Sequence, residues 1–280
     1  MNSIKILAIG DFHGKITNKL KNKLRKLDFD IILSPGDLAN TNKLRDLTFQ
    51  NWDKLGDKQL KDIIPKKQFD KIQIASIKSM QPVIEFLYRL NKPVYLVSGN
   101  GDFTREEVRG YSIKSLEESI KNMKIILLKQ KQIILKQYTL IGFSGYRGAT
   151  AKNYRKLSKK KILRIKKENY NWDCRLKSLF SKKIDYKSTI FLCHDTPKNC
   201  LDIITNKKSP MYGKNLGDEY FSKYIKKYQP LIVVCGHMHE NQGKCKIGKT
   251  TVVNPGAAYE GKAALIELKN EKVKNIKFLI

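Results

Sequence analysis

The run Ile4-Lys5-Ile6-Leu7-Ala8-Ile9 opens the chain and stops abruptly on Gly10-Asp11-Phe12-His13. A short run of branched apolar residues ended by glycine reads as a strand buried on both faces. Directly after it come an aspartate and a histidine, the kind of polar pair that can hold a metal ion. The same arrangement recurs along the chain. Ile31–Leu33 leads through Ser34-Pro35-Gly36 to Asp37, and Val94–Val97 leads through Ser98-Gly99 to Asn100. Ile190–Cys193 runs directly into His194, and Leu231–Cys235 passes through Gly236 to His237 and His239. Thr139–Phe143, Thr250–Val253 and Ala263–Leu268 read as further strands without such a residue.

Helical spacing separates these runs. Ile16, Leu20, Leu24 and Leu27 share one helix face, as do Tyr220, Phe221, Tyr224, Ile225 and Tyr228, with Asp218 placed to cap the second helix and Pro230 to end it. Strands alternating with helices indicate an α/β layered fold, in which functional residues gather where strands end at their carboxyl termini. Five strands presenting metal-ligating residue types at that same end predict one shared site. Two stretches depart from the rhythm. Residues 38–90 form an insertion with a predicted helix over Phe69–Met80. Residues 146–187 are basic and predicted helical, with Tyr154, Leu157 and Ile165 on one face. Either could cap the site, and neither is long enough to stand as its own domain, so residues 1–280 are read as a single domain.

Composition narrows the class. No apolar run approaches the ~20 residues that a membrane span needs, and no small-residue cleavage site comes after the first apolar run, which reads as a strand and not a leader. Five cysteines without a CxxC pair suggest free thiols in a reducing cytoplasm. Net charge is +30, from 47 Lys and 9 Arg against 26 acidic residues. Such a charge attracts polyanions and raises nucleic acid as a partner; lysines spread over a chain rich in Ile and Asn equally fit a compositional bias. The densest stretch, Lys152–Lys187, holds fourteen basic and three acidic residues.

All four histidines of the chain, His13, His194, His237 and His239, come after an apolar run. Together with Asp11, Asp37 and Asn100 they make a mixed carboxylate, imidazole and amide set that suits Mn, Fe or Zn. Two divalent ions in one site would share a bridging ligand, lower the pKa of bound water and neutralise charge on a phosphoryl group.

Asp11-Phe12-His13, Gly36-Asp37, Gly99-Asn100, His194 and Gly236-His237-Met238-His239 resemble the five-block signature of the calcineurin-like metallophosphoesterases. The stretch Cys235 to Ala258, CGHMHENQGKCKIGKTTVVNPGAA, is similar to the Icc-related phosphoesterases of that superfamily. The resemblance implies a four-layer α/β/β/α sandwich of two mixed sheets flanked by helices. It implies that Asp11, His13 and His239 bind one metal, that Asn100, His194 and His237 bind a second, and that Asp37 bridges them. A bridging hydroxide would then attack phosphorus in line, making the protein a hydrolase of phosphodiesters or phosphomonoesters, with diesters favoured and manganese the favoured ion.

One position breaks the pattern. The family's third block commonly continues with a histidine that stabilises the transition state or protonates the leaving group; here Gly101 stands there, with Asp102 next to it. Losing a general acid costs ~10²–10⁴-fold, most where the leaving group is poor. Acidic leaving groups, as in aryl phosphodiesters, would escape that cost, or Arg147, Lys198 or Lys214 would supply charge. Asp102 reads as a catalytic orienter or as a helix cap before Thr104–Arg109. Asn254-Pro255-Gly256 reads as a plain turn or as a loop beside the metals. The competing readings are a nuclease or nucleotide hydrolase that uses the basic surface, and a non-catalytic protein-binding scaffold. The expected partner is a phosphorylated small molecule, with no membrane; oligomeric state is open.

Overall fold

The computed structural model describes residues 3–147, 157–181 and 183–280. Tyr154 and the basic residues between 152 and 156, part of the lysine-rich stretch, lie outside the described residues, as does Lys182. In chain order the elements begin with β1 (Ser3–Ala8), α1 (Asn18–Arg25), β2 (Ile31–Ser34), α2 (Asn42–Gln50), α3 (Trp52–Leu55), α4 (Lys66–Lys78) and α5 (Met80–Arg89). Next come β3 (Val94–Leu96), α6 (Leu116–Ser119), β4 (Ile125–Leu127), β5 (Gln130–Leu135), β6 (Tyr138–Phe143), α7 (Lys159–Phe180) and β7 (Thr189–Cys193). The chain closes with α8 (Glu219–Tyr228), β8 (Ile232–Val234), β9 (Gly243–Ile247), β10 (Thr250–Asn254), β11 (Ala263–Lys269) and β12 (Lys272–Leu279).

Two six-stranded sheets result, ordered β12-β11-β1-β2-β3-β4 and β5-β6-β7-β8-β10-β9. Both are mixed: β1 to β4 run parallel and β11 joins β1 antiparallel, while β6, β7, β8 and β10 run parallel between antiparallel edges. Alternate residues of the inner strands face opposite layers, so one strand feeds two cores. Ile4, Ile6 and Ala8 face the second sheet, packing with Leu140, Leu192 and Val234 there and with Ile266 of the neighbouring β11. Leu7 and Ile9 face outward onto Leu20 and Leu24 of α1 and onto Ile84 and Leu87 of α5. On the far side, Phe143, Phe191 and Val233 pack beneath Trp172, Leu176 and Phe180 of α7 and Phe221 of α8. The fold is a four-layer sandwich, two sheets between two helical layers.

Local chemistry sets the helix ends. Asp218 caps α8, its Oδ1 accepting from Phe221 N at 2.9 Å, a contact worth about 1 kcal/mol. Gln229 ends the helix in a left-handed conformation just before Pro230. Three expectations are corrected. Thr104–Arg109 forms turns, not a helix, so Asp102 caps nothing there. The helix of the basic stretch, α7, buries Trp172, Leu176 and Phe180 against the second sheet and is a layer of the sandwich, not a cap over the site. Cys200 and Cys245 are paired as a disulfide, leaving Cys174, Cys193 and Cys235 free, which removes the argument from unpaired thiols to a reducing compartment. The pair joins the loop after β7 to β9 across 45 residues, a proximity that sequence spacing does not reveal.

Candidate metal centre

The carboxyl ends of β1, β2, β3, β7 and β8 converge, and the loops there carry all seven residues singled out in the sequence. Two groups emerge, each with its ligating atoms within 4.8 Å of one another: Asp11, His13, Asp37 and His239, and Asp37, His194 and His237. Asp37 belongs to both. Its Oδ2 lies 3.8 Å from His13 Nε2, and its Oδ1 lies 3.4 Å from His194 Nε2. Asn100 completes the second group, its Oδ1 at 3.0 Å from His194 Nε2 and 2.9 Å from His237 Nδ1. In the first group His13 Nε2 and His239 Nε2 stand 3.0 Å apart, and His239 Nε2 is 3.5 Å from Asp11 Oδ1. Imidazole nitrogens and carboxylate oxygens aimed at one another in this way fit a cation between them, and the donor set fits a borderline divalent metal.

The loops reach this geometry at a conformational cost. Asp11, His13, Asp37 and His237 all have positive φ, between 45° and 68°, a region costly for residues with a Cβ. Backbone contacts hold them there: Phe12 N and His13 N both donate to Asp37 O, and His237 N donates to both oxygens of Asp11 at 3.1 Å. Gly99 is required by close approach, because a Cβ would sit 2.3 Å from Asp37 Oδ1 and 2.4 Å from the His194 ring. His194 is oriented by its Nδ1, 2.7 Å from Pro35 O, which turns Nε2 toward Asp37 and Asn100.

Asp102 is buried beneath the ligand loops. Its Oδ2 accepts from Asp37 N at 2.9 Å and Gly99 N at 2.8 Å, and its Oδ1 accepts from Leu38 N at 2.7 Å. One carboxylate thus ties the loop after β2 to the loop after β3. Asn254 performs a similar service: its Nδ2 donates to Met238 O at 2.8 Å, so the Asn254-Pro255-Gly256 loop lies against the loop bearing His237 and His239. Gly101 N donates to Asp37 Oδ1 at 2.6 Å, and a Cβ at 101 would meet Asp37 Cγ at 3.1 Å, so a side chain here would lie over that carboxylate.

Burial and charge pull the titrations apart. Burial holds His13 down to about 4, and burial with His194 beside it holds His237 down to about 3, so both are neutral donors at neutral pH. Burial also opposes charge on His194, but Asp37 and Asp11 outweigh it and raise the ring to about 9. His239 is raised as well, against burial, by its contact with Asp11. Burial disfavours the Asp11 carboxylate, yet His239 and the other histidines hold it down to about 2. Burial together with the Asp37 charge pushes Asp102 up to about 7, against the pull of its backbone donors.

The centre opens into a cavity of about 420 Å³, whose lining does not include Asp102. Sequence reading missed most of its wall. Leu44, Arg45, Phe49 and Trp52 of α2 and α3 form one side, and the loop from Ile204 to Leu216 forms another. Tyr146 reaches over the second group, its ring centroid 4.7 Å from that of His237, and Tyr259 sets its ring 5.3 Å from His13 and 5.6 Å from His239. Of the cations expected to replace the absent histidine, Arg147 is engaged with Asp218 at 3.5 Å and Glu219 at 3.3 Å, and neither Lys198 nor Lys214 lines the cavity. Arg45 is the one Lys or Arg among the described lining residues. Its only signal in sequence was its place in the 38–90 insertion.

Residues 1–278 match the family model described as metallophosphoesterase, calcineurin superfamily. One crystal structure superposes with a TM-score of 0.70 at 18% identity, over 99% of this chain and 99% of the other. The protein TT1561 of Thermus thermophilus superposes at 0.56 with 17% identity, over 99% of each chain. A dimetal phosphatase from Danio rerio superposes at 0.53 with 12% identity, over 99% of this chain and 96% of that one. At these identities the likeness is one of fold. No curated protein matches this sequence. No helix among the described residues is long and apolar enough to cross a membrane.

Proposed function

This chain belongs to the metallophosphoesterases of the calcineurin superfamily, and from that premise we propose that it is a two-metal hydrolase of small phosphate esters, with diesters favoured. The observation that carries the reading is the placement of Asp37, one carboxylate oxygen toward each group of ligands. Asp11, His13 and His239 would hold one divalent ion, and Asn100, His194 and His237 the other, with Asp37 between; Mn, Fe and Zn all suit such donors. Ions held there would supply an activated water and neutralise charge on the phosphoryl group.

The chain's own residues do the rest. Asp102 and Asn254 hold the ligand loops in register, and the Pro35 carbonyl fixes the His194 ring. Nothing at Gly101 can donate a proton, so hydrolysis should favour leaving groups that need none. Turnover of phosphomonoesters, aryl and alkyl phosphodiesters, nucleotides and oligonucleotides with Mn²⁺, beside an Asp37→Ala variant, tests the reading. Loss of most activity in the variant is expected; unchanged activity would refute the two-metal arrangement. A steep fall in rate with rising leaving-group pKa is the second expected outcome, and a flat dependence would show that another group supplies the acid.

The +30 charge favours a nuclease as the second reading. Against it stands the cavity itself, which presents Arg45 as its single Lys or Arg among the described residues and includes Glu240 in its lining.

A further inference from the structure

The cavity beside the candidate metal centre is two-sided in its chemistry. Its floor includes five of the seven candidate ligands, whereas its outer wall carries an apolar strip of Leu44, Phe49 and Trp52 from α2 and α3, Phe103, and Met211 and Leu216 from the loop after β7, with Thr48, Asn206 and Ser209 set among them. Phe49 and Trp52 meet edge to face, ring centroids 6.4 Å apart at 72°, and both are partly exposed. A volume of about 420 Å³ lies in the lower part of the range for small-molecule sites and admits a phosphate ester with one ring system.

Between floor and wall stands Arg45. Among the described residues its Nε has no hydrogen-bond partner although it is shielded from solvent; it approaches Asp46 Oδ1 at 3.8 Å. With its side chain 37% exposed and only this long ion pair on its Nε, the guanidinium is placed to meet an anionic group in a cavity that also holds metal-ligand types. The far wall is preformed. Buried Asp202 accepts from Asn199 N and Gly217 N at 3.0 Å and from Asn215 Nδ2 at 2.8 Å, closing the loop at its base. Asn241 Nδ2 donates to Leu201 O at 3.1 Å and Ile203 O at 2.8 Å, and Thr205 N donates to Glu240 Oε1 at 3.0 Å. The disulfide anchors its start at Cys200.

We propose that this wall is a specificity subsite for a flat apolar group carried on the phosphoryl group, seated against Trp52 and Phe49, with Arg45 contacting a phosphoryl oxygen. The proposal rests on the phosphoesterase reading and names the substrate class for it: small phosphate esters bearing an aromatic ring, either a simple aryl group or a nucleobase.

Equilibrium binding to the Mn²⁺-loaded full chain tests it without turnover. Phenylphosphonate should bind roughly tenfold or more tighter than methylphosphonate, the preference expected from burying one ring against aromatic partners. Adenosine 5′-monophosphate against ribose 5-phosphate asks the same question of a nucleobase, and whichever pair shows the larger ratio identifies the source of the ring. Trp52→Ala should collapse that ratio towards unity while leaving methylphosphonate binding unchanged. Phe49→Ala serves as a second variant, with melting temperatures checking that both fold. Arg45→Gln should weaken phenyl- and methylphosphonate alike, by about tenfold, and leave their ratio intact. Ratios near unity in the wild type, or a ratio that survives both aromatic variants, would overturn the subsite. If the protein also hydrolyses p-nitrophenyl esters in a metal-dependent manner, that result leaves the phosphoesterase reading standing. Absence of metal-dependent hydrolysis alongside a Trp52-dependent ratio would sink the enzymatic reading and keep the subsite.

Discussion

Replacing Asp102 separates a residue that positions the centre from one that takes part in the chemistry. The carboxylate accepts three backbone N–H groups from two loops and is 2% exposed, so in Asp102→Ala three donors lose their partner where water has little access. At ~1–3 kcal/mol for each stranded donor, with some relaxation, the loss should be about 3–5 kcal/mol. For a domain of this size that lowers the melting temperature by about 6–20 °C. Asp102→Asn is graded against it. Its carbonyl can keep the bonds from Asp37 N and Gly99 N, but its amide then faces Leu38 N, donor against donor, for a loss of about 2 kcal/mol. Because Asp37 and Asn100 ride on these loops, Mn²⁺ affinity should fall by about 10–100-fold in the alanine variant and less in the asparagine one. Thermal unfolding of chelated and Mn²⁺-loaded protein, with competition titration of the metal, measures both. The reasoning fails if Asp102→Asn keeps wild-type stability and metal affinity yet loses turnover, for that pattern belongs to a proton donor and not to a tie between loops.

Metal removal should expose a pH dependence of definite sign. With His194 raised to about 9, the folded, metal-free chain keeps a proton that the unfolded chain has lost; this contribution is complete below about pH 6.5 and disappears as pH rises to about 9. Chelated protein should therefore lose stability across that window, whereas loaded protein should not; parallel curves would contradict the assignment. Loading at pH 7 should release protons, chiefly from His194 and His239, as calorimetry in buffers of differing ionisation enthalpy would record. Gly99→Ala drives a Cβ into Asp37 and His194 and should cost more than tenfold in metal affinity, and retention of wild-type binding would mean that the loop can move aside. If nucleic acid is a substrate, its turnover should fall steeply between 50 and 200 mM salt while a small aryl ester responds weakly; similar responses would exclude a polyanion-binding role for the surface.

The strands legible in the sequence are the eight interior ones, four in each sheet. β1, β2, β3, β6, β7, β8, β10 and β11 are flanked on both sides and largely buried, so most read as continuous apolar runs, while β11 keeps Glu267 and Lys269 on a half-buried face. Of the four edges, β5, β9 and β12 do not, whereas β4 is the apolar run Ile125-Ile126-Leu127, too short to stand out. β9 is Gly-Lys-Cys-Lys-Ile, and β12 alternates Lys272, Lys274 and Lys277 with Val273, Ile276 and Phe278. An edge strand keeps charge on its open side, which blunts pairing with other chains and also erases the signal by which a buried strand is recognised. Six of the 47 lysines, Lys131, Lys244, Lys246, Lys272, Lys274 and Lys277, have this plainer use.

The centre was legible for the same reason as the interior strands: each ligand type comes directly after a buried run, so the end of the run locates it. The conformation of those residues was not. Asp11, His13, Asp37 and His237 take up left-handed backbone because Asp102, the Asp37 carbonyl and the Asp11 carboxylate hold them from across the fold, and no local pattern records a partner up to 226 residues away. The cavity wall lay further still from view. Arg45, Trp52 and Met211 sit on elements fixed by tertiary contacts, the last on a loop secured by Asp202, Asn241 and a disulfide to β9. The candidate metal ligands are thus written in short motifs at strand ends, whereas the cavity wall is built from segments whose contacts are formed only on folding. A variant series confined to the five blocks would tune whether the protein reacts; changes in α2, α3 and residues 204–216 should decide with what.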